Sequence, residues 1–298
     1  MPRAPADFVA PARGCAVAIG NFDGVHRGHL AVIQVLREAA ASLGAASCVY
    51  TFQPAPTAVV APQRHQPRIQ TLDDRVDSLL AAGVEHVVVE AFTPEFAAQS
   101  AERFVGAVLA ERLRTRALVV GHDFRFGNMR AGNAGSIRAL LPGALVHEVG
   151  ALEHEGEPIS SSRVRRAVGS GDMRLAAALL GRPHVSTGTV VHGDHLGRTL
   201  GFPTANLSLA EELRPGHGVY AARVGEHLAV VNVGLRPTVS GQAFRFEVHL
   251  LDFSGDLYGQ HLRVALVEKL RDERRFESVD ALRAQIARDV DHARRVHA

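Results

Sequence analysis

The residues that could do chemistry begin where a strand-like run, Cys15–Gly20, passes through Gly20-Asn21-Phe22-Asp23-Gly24-Val25-His26-Arg27-Gly28-His29 into a helix-like stretch. A strand-to-helix turn of this kind aims free backbone N–H groups and the positive end of a helix at whatever lies above the strand, which suits a phosphate. His26 and His29, three apart, share one face, so both imidazoles can point an N–H at phosphoryl oxygens while Gly28 lets the backbone come close. Their task would be to stabilise transition-state charge rather than to attack as nucleophiles. The same residues also read as two surface histidines beside a turn glycine, with Asp23 as an ordinary turn residue.

A second phosphate-suited element is Ile159-Ser160-Ser161-Ser162-Arg163-Val164-Arg165, which enters a helix. Its serines can cap the helix and keep hydroxyls for a triphosphate, and Arg165, one turn in, can fork two oxygens. Ser-rich caps are also common on purely structural grounds. Between these two elements Gly121-His122-Asp123-Phe124-Arg125-Phe126-Gly127 follows a strand-like run, at the strand end where open α/β sheets bind ligands. Asp123 could hold a polar ligand edge there, or it could cap a turn while Phe124 and Phe126 fill the core.

The second half of the chain carries a different pattern, a loop bearing Gly193, Gly197, Arg198, Gly201, Pro203, Thr204 and Asn206. Three glycines and a proline within a dozen residues specify an unusual backbone path. Thr204 and Asn206, alternate residues of an extended stretch, face one side and can offer oxygens to a hard cation such as Mg²⁺ beside a nucleotide. A hairpin loop in which Asn206 only turns the chain fits the spacing equally well. Further on, Glu247 sits in the apolar run Phe246-Glu247-Val248-His249-Leu250. Lining a pocket, it could take a proton from a substrate hydroxyl; on an ordinary alternating strand it would simply face outward. Arg271 is either a ligand clamp or a solvated charge.

These residues need elements to hold them. From residue 15 to about 150, strand-like runs at Cys15–Gly20, Ser47–Phe52, His86–Glu90, Ala117–Gly121 and Leu145–Val149 alternate with helical spacing at Leu30–Leu43, Leu72–Ala82 and Ala101–Arg112. The alternation predicts a doubly wound α/β unit with a parallel sheet. After Leu180 short strands succeed one another without helices, at Thr187–Val191, Gly218–Val224, His227–Val233, Phe244–Leu251 and His261–Val267, predicting a small antiparallel barrel or sandwich. A closing helix has Ser278 as N-cap, Asp280 in its first turn and Leu282, Ile286 and Val290 as one stripe. An Ala- and Leu-rich helix stopping at Gly181-Arg182-Pro183 divides the chain into domains 1–183 and 184–298.

Composition excludes several classes. With 46% hydrophobic and 21% charged residues, disorder, collagen and coiled coil are disfavoured, and no run approaches the roughly 18 apolar residues of a membrane helix. Among 33 basic residues only Lys269 is a lysine, which rules out a Walker A loop in the first 268 residues and leaves one candidate for a Schiff base. Arginine, histidine and backbone amides must therefore hold any anion. A net charge of +2, with acids interspersed among the arginines, implies no nucleic-acid or other polyanionic partner; aromatics, at 5%, are not interleaved with arginine along the strands. Cys15 and Cys48 fall inside strand-like runs and read as small buried hydrophobes. The segment from Met1 to Arg13 lacks an apolar core of the signal-peptide type, so the expected location is cytoplasmic, without membrane association.

Taken together, and in the same order along the chain, these segments resemble the bifunctional bacterial riboflavin kinase/FAD synthetase family. The resemblance runs from about residue 15 to 293 and rests on Gly20–His29, Gly121–Gly127, Ile159–Arg165, Leu180–Pro183, Gly193–Asn206, Gly218–Ala221, Asn232–Gly234, Arg236–Thr238, Glu247–Leu251, Leu257–Gly259 and Arg271–Phe276. It implies an N-terminal Rossmann-like nucleotidyltransferase domain and a C-terminal riboflavin kinase domain on a six-stranded antiparallel barrel with a terminal helix. Both halves would use ATP with Mg²⁺. By that analogy the C-terminal half turns riboflavin and ATP into FMN and ADP, with Glu247 as base and Thr204 and Asn206 on Mg²⁺–ATP. The N-terminal half joins FMN to a second ATP to give FAD and pyrophosphate, with His26, His29, Ser160, Ser161, Ser162 and Arg165 stabilising charge. The remaining ATP- and flavin-binding positions implied are Gly20, Asn21, Phe22, Asp23, Gly28, Asp123, Gly193, Gly197, Arg198, Gly201, Pro203 and Arg271. The chain departs from the family at Pro54-Ala55-Pro56, where Pro-His-Pro is usual, at Ser162, where Thr is common, and at His184, which replaces a usual aromatic. A rival reading is a monofunctional nucleotidyltransferase whose barrel only binds a ligand. Oligomeric state is left open.

Overall fold

The structure, a computed structural model, describes residues 8–193, 197, 200–210, 213–238 and 241–297. They fall into two compact units, residues 1–66 with 72–159, and residues 67–71 with 160–298.

The first unit is a five-stranded parallel sheet, β1 (Cys15–Ile19), β2 (Ala46–Gln53), β3 (His86–Ala91), β4 (Thr115–Gly121) and β5 (Leu145–Val149), in the order β3-β2-β1-β4-β5. The doubly wound α/β expectation holds. All five residues of β1 are buried because both faces of the sheet are covered, and the period of two sorts them between two cores. Cys15, Val17 and Ile19 join Cys48, Tyr50 and Phe52 on one side, whereas Ala16 and Ala18 meet Ile33, Leu36 and Ala40 of the helix Arg27–Leu43 on the other. Small alanines on that face leave room for the helix that must start at the candidate site. Both cysteines are free and buried, as their setting in the sequence implied. The stretch expected as one α-helix over Ala101–Arg112 is α-helical only to Arg103 and then winds as a π-helix over Phe104–Arg112, ending with Leu113 N–H on Val108 O at 2.9 Å. The wider winding keeps Phe104, Val105, Val108 and Leu109 all in the core.

The second unit contains a closed six-stranded barrel. Its strands are β8 (His184–Val191), β9 (Ala205–Leu209), β10 (Gly218–Val224), β11 (His227–Thr238), β12 (Gly241–Leu250) and β13 (His261–Arg271), ordered β10-β11-β12-β9-β8-β13, while β6 (Glu153–His154) and β7 (Glu157–Pro158) form a two-stranded hairpin that belongs to the first unit. Closure removes the exposed edges a sandwich of this size would leave. Along β12, Phe246, Val248 and Leu250 are buried and Arg245, Glu247 and His249 are half-buried on the other face. The terminal helix Val279–Val296 is capped by Ser278, whose hydroxyl accepts Ala281 N–H at 3.1 Å, and Asp280 lies in its first turn. Its apolar stripe docks on the barrel, with Val290 and the fully buried Ala293 packed with Val219, Ala221 and Val230. Helices Ser161–Ser170 and Met173–Leu180 also belong to this unit, the latter packing on β8 and β13. The compact units thus part between Ile159 and Ser160, ahead of the boundary suggested by the helix stop at Gly181.

Candidate functional site

In the first unit the turn after β1 is tied down from behind. Gly20 N–H donates to Tyr50 O at 3.2 Å, and the carbonyl of Asn21 accepts from Thr51 Oγ1 at 3.1 Å and from Arg75 Nη1 at 2.8 Å. Arg75, only 5% exposed, also donates through Nη2 to Phe52 O at 3.0 Å and Gln53 Oε1 at 3.3 Å. One buried guanidinium therefore fastens the turn to the end of β2. No sequence signal marked it: Arg75 stands among ordinary helix residues of Leu72–Ala81. Within the turn Phe22 and Val25 take positive φ values of 50° and 40° while their side chains are 2% and 1% exposed. Such backbone costs about 1–3 kcal/mol per residue, here offset by anchoring both side chains in the core.

His26 is the N-cap of the helix Arg27–Leu43, its Nδ1 accepting His29 N–H at 3.2 Å. In the neutral ring this leaves Nε2 as the N–H donor. The His26 and His29 rings stack at 3.6 Å between centroids and 14° between planes, and Phe22 lies 5.1 Å from His29. Gly28 makes the cap geometry affordable, since a Cβ there would come within 3.2 Å of the His26 ring. Burial first, then His26 and Arg75, push the His29 imidazole well below its ordinary pKa, so it is neutral at pH 7. Its buried Nδ1 has no hydrogen-bond partner among the described residues. The two stacked imidazoles at this helix start can donate to phosphoryl oxygens. Asp23, 9% exposed, lies in the same turn. Asp123 is exposed in the turn after β4, where Phe126 belongs to the core and Phe124 packs against it. Ala55 starts the short helix Pro56–Val60 without any side-chain cap.

The serine element packs with the second unit. Ser160 caps Ser161–Ser170, accepting Arg163 N–H at 3.2 Å, while Ser161 is half-buried and Ser162 exposed. Arg165 Nε donates to Pro67 O at 2.7 Å, and its neighbour Arg163 is buried at 7% exposure.

The barrel carries a pocket of about 320 Å³. Among its lining residues are Gly197, Thr204, Glu247 and Arg271, together with Asn232, Arg245 and His249 from the barrel wall and Leu282, Ile286 and Asp289 from the terminal helix. Four scattered sequence positions thus share one cavity. Asn206, on β9, is the direct cross-strand partner of Glu247 on β12. The glycines explain the loop's composition: a Cβ at Gly193 would stand 2.1 Å from Asn206 Nδ2, and one at Gly197 would stand 2.9 Å from Thr204 Oγ1. Gly201 adopts φ 85°, and the Pro203 carbonyl faces His249 Nδ1 at 2.8 Å, which pins the approach to Thr204. Arg198 lies outside the described residues. Glu247 Oε2 is 3.7 Å from Arg245 Nε. Arg271 lines the pocket, but its guanidinium is engaged: Nε and Nη2 bond both Asp289 carboxylate oxygens at 2.8–3.0 Å, and Nη1 donates to Asp272 O at 3.0 Å. Arg245 and the helix wall were not foreseen, since neither belongs to a local motif.

A histidine-bearing turn on a parallel sheet and an acid-bearing barrel pocket give the chain two candidate sites, as a two-function transferase requires. Family models agree, with FAD synthetase matching residues 9–163 and riboflavin kinase residues 180–297. The chain is 43% identical over 290 residues to the bifunctional riboflavin kinase/FMN adenylyltransferase of Escherichia coli K12, covering 94% of this chain and 92% of the relative. The Haemophilus influenzae protein of the same description is 39% identical over 289 residues, covering 95% and 94%. A solved structure described as a macrolide-efflux protein from Streptococcus pneumoniae has a TM-score of 0.87 at 32% identity, covering 96% of this chain and 95% of that one. Here no described helix is long and apolar enough to cross a membrane. The chain belongs to the bifunctional riboflavin kinase/FAD synthetase family and is an enzyme with both activities. The riboflavin kinase match over the barrel removes the monofunctional alternative.

Proposed function

We propose that the barrel pocket is where ATP phosphorylates riboflavin to FMN, and that the His26–His29 turn serves the adenylylation of FMN by a second ATP to FAD. The observation that carries the first assignment is the convergence of Thr204 and Glu247 on one cavity, with Asn206 directly across the strand pair from Glu247. Glu247 accepts the proton of the ribityl 5′-hydroxyl, and the barrel holds that oxygen in line with the γ-phosphoryl group. Thr204 and Asn206 are the residues that would hold Mg²⁺. No group of three or more His, Cys, Asp or Glu suited to a metal occurs among the described residues, but neutral oxygens beside phosphate fit Mg²⁺, which keeps waters and takes phosphate oxygens for the rest. When bound, the ion neutralises phosphate charge. Gly193, Gly197, Gly201 and Pro203 shape the loop that carries these ligands, with Arg198 as a further nucleotide contact. Arg271 contributes by fixing the helix wall through Asp289.

In the other half His26 and His29 donate to the α-phosphoryl oxygens as pyrophosphate leaves, on a turn built from Gly20, Asn21, Phe22, Asp23 and Gly28. Asp123 holds an edge of the ligand, and Ser160, Ser161, Ser162 and Arg165 contact the triphosphate. The functional halves are 1–183 and 184–298, in a cytoplasmic enzyme acting on riboflavin, FMN, FAD and ATP with no nucleic-acid or membrane partner; the net charge of +2 supports this. The test is to incubate the protein with riboflavin, ATP and Mg²⁺ and separate the flavins over time. FMN appearing before FAD is expected. FMN that never proceeds to FAD would remove the N-terminal assignment, and the absence of both flavin products would remove the barrel assignment.

A further inference from the structure

Three arginines line the barrel pocket, and two of them are committed elsewhere. Arg271 is bound to Asp289 and Asp272 O; Arg274 donates to Gln285 Oε1 and lies 4.9 Å from the centre of the Phe276 ring. Arg245 makes no hydrogen bond among the described residues, and its Nε is buried without a partner. That Nε lies 3.7 Å from Glu247 Oε2, too long for a hydrogen bond, on side chains only 29% and 20% exposed. Both residues stand on the same face of β12, two apart. Across the strand pair Arg245 faces Gly234, which brings no side chain of its own, and the Glu273 carboxylate lies over that glycine, 2.0 Å from where a Cβ would stand.

Phosphoryl transfer makes a demand that this guanidinium, its Nε without a hydrogen-bond partner among the described residues, meets. As the proton of the flavin hydroxyl passes to Glu247, the O5′–P bond forms and the bond from Pγ to the bridging oxygen breaks, that electron pair leaving on ADP. The phosphoryl oxygens therefore arrive on the oxygen Glu247 has just deprotonated, and Glu273 also lines the pocket. A dianionic group beside carboxylates needs a cation whose hydrogen bonds are not already spent. We propose that Arg245 is this cation: it contacts the transferred phosphoryl group, and afterwards the phosphate of FMN, making Arg245 a further catalytic residue of the kinase reaction. This rests on the barrel reading above.

The experiment uses the full chain and measures riboflavin phosphorylation at saturating Mg²⁺–ATP for the parent, Arg245→Gln and Arg245→Lys, with FAD formation from supplied FMN in parallel. Arg245→Gln is expected to lower kcat about 10²–10³-fold, as loss of one preorganised donor does, while riboflavin KM moves less than about threefold. Arg245→Lys should recover part of kcat because the charge returns without the fork. Inhibition of the kinase step by FMN should weaken about tenfold in Arg245→Gln, one charge-assisted contact being lost, and FAD formation should stay at the parental rate. A parental kcat in Arg245→Gln, or a change confined to KM, overturns the proposal; so does Arg245→Lys being no better than Arg245→Gln. A parent chain that forms no FMN overturns the barrel reading itself, an outcome seen before any variant is compared.

Discussion

The two sites are built in opposite ways. The turn at Gly20–His29 is local in sequence and over-determined, with its backbone held by Tyr50, Thr51 and Arg75, its helix capped by His26, and its second imidazole neutral because it is buried. The barrel pocket draws on residues from Gly197 to Asp289, Glu247 and Arg245 stay half-buried, and one wall is the helix Val279–Val296. A site made by one turn depends on backbone geometry. A site made by distant elements depends on what clamps those elements together.

The largest expected effect separates the two. Glu247→Ala should lower riboflavin phosphorylation by about 10²–10⁴-fold, the range for removing a positioned general base, and leave FAD formation from FMN intact. Chromatography of the flavins checks both rates in one preparation, and parental phosphorylation in this variant would remove Glu247 from the base role.

His29→Ala should give the mirror image. Loss of one preorganised donor is expected to cost about 10²–10³-fold in FAD formation while riboflavin phosphorylation continues. Equal loss of both rates would break the contrast between two separate sites.

How far the sequence could be read follows the same division. The turn was legible because glycine, histidine pair and helix start follow one another within the ten residues Gly20–His29, and the alternation of strand-like with helical runs announced a doubly wound parallel sheet. In the barrel, Thr204, Asn206 and Glu247 could be named one by one, but β9 was hidden: Ala205–Leu209 follows a glycine- and proline-rich loop whose composition reads as coil. The sixth strand came from the family resemblance. Arg75 and Arg245 were illegible because an arginine's burial depends on neighbours brought by the fold, and Arg271 could not show in sequence that its partner is Asp289, a full helix later. The serine element was read with the first half on chemistry, yet Ser160–Ser170 packs with the second unit, because helix Ser161–Ser170 contacts Met173–Leu180 and that helix rests on the barrel.

The clamp itself can be loosened. Asp289→Ala removes the carboxylate that takes three bonds from Arg271 and one from Gln285 at 2.7 Å, at a residue 4% exposed. Breaking a buried pair from one side costs about 3–5 kcal/mol, and because Arg271 retains some exposure the expected loss is about 2 kcal/mol. Urea unfolding reads it as a lower midpoint at unchanged slope. Because Leu282 and Ile286 are pocket walls on the same helix, riboflavin KM should rise with it, whereas FAD formation from FMN should not change. Parental KM would show that the pocket does not need this clamp.

The smallest expected effect concerns His184, at the start of β8, where the family usually has an aromatic. Its ring is 2% exposed, its Nε2 has no hydrogen-bond partner among the described residues, and burial, with Arg182 adding to it, pulls its pKa down to about 4. In the unfolded chain the same group titrates near 6.5. Between these values the unfolded state binds the proton and the folded state does not, so stability is intact above about pH 6.5 and falls as pH drops towards 4. By pH 5 the loss attributable to His184 is about 1–2 kcal/mol. His184→Phe keeps the ring and removes the titration, so the difference in unfolding free energy between variant and parent should grow between pH 6.5 and 5 in favour of the variant. A pH-independent difference would mean that His184 is hydrated or paired in solution. The barrel, unlike the turn with its buried neutral His29, would then hold its buried imidazole in a polar rather than a dry setting.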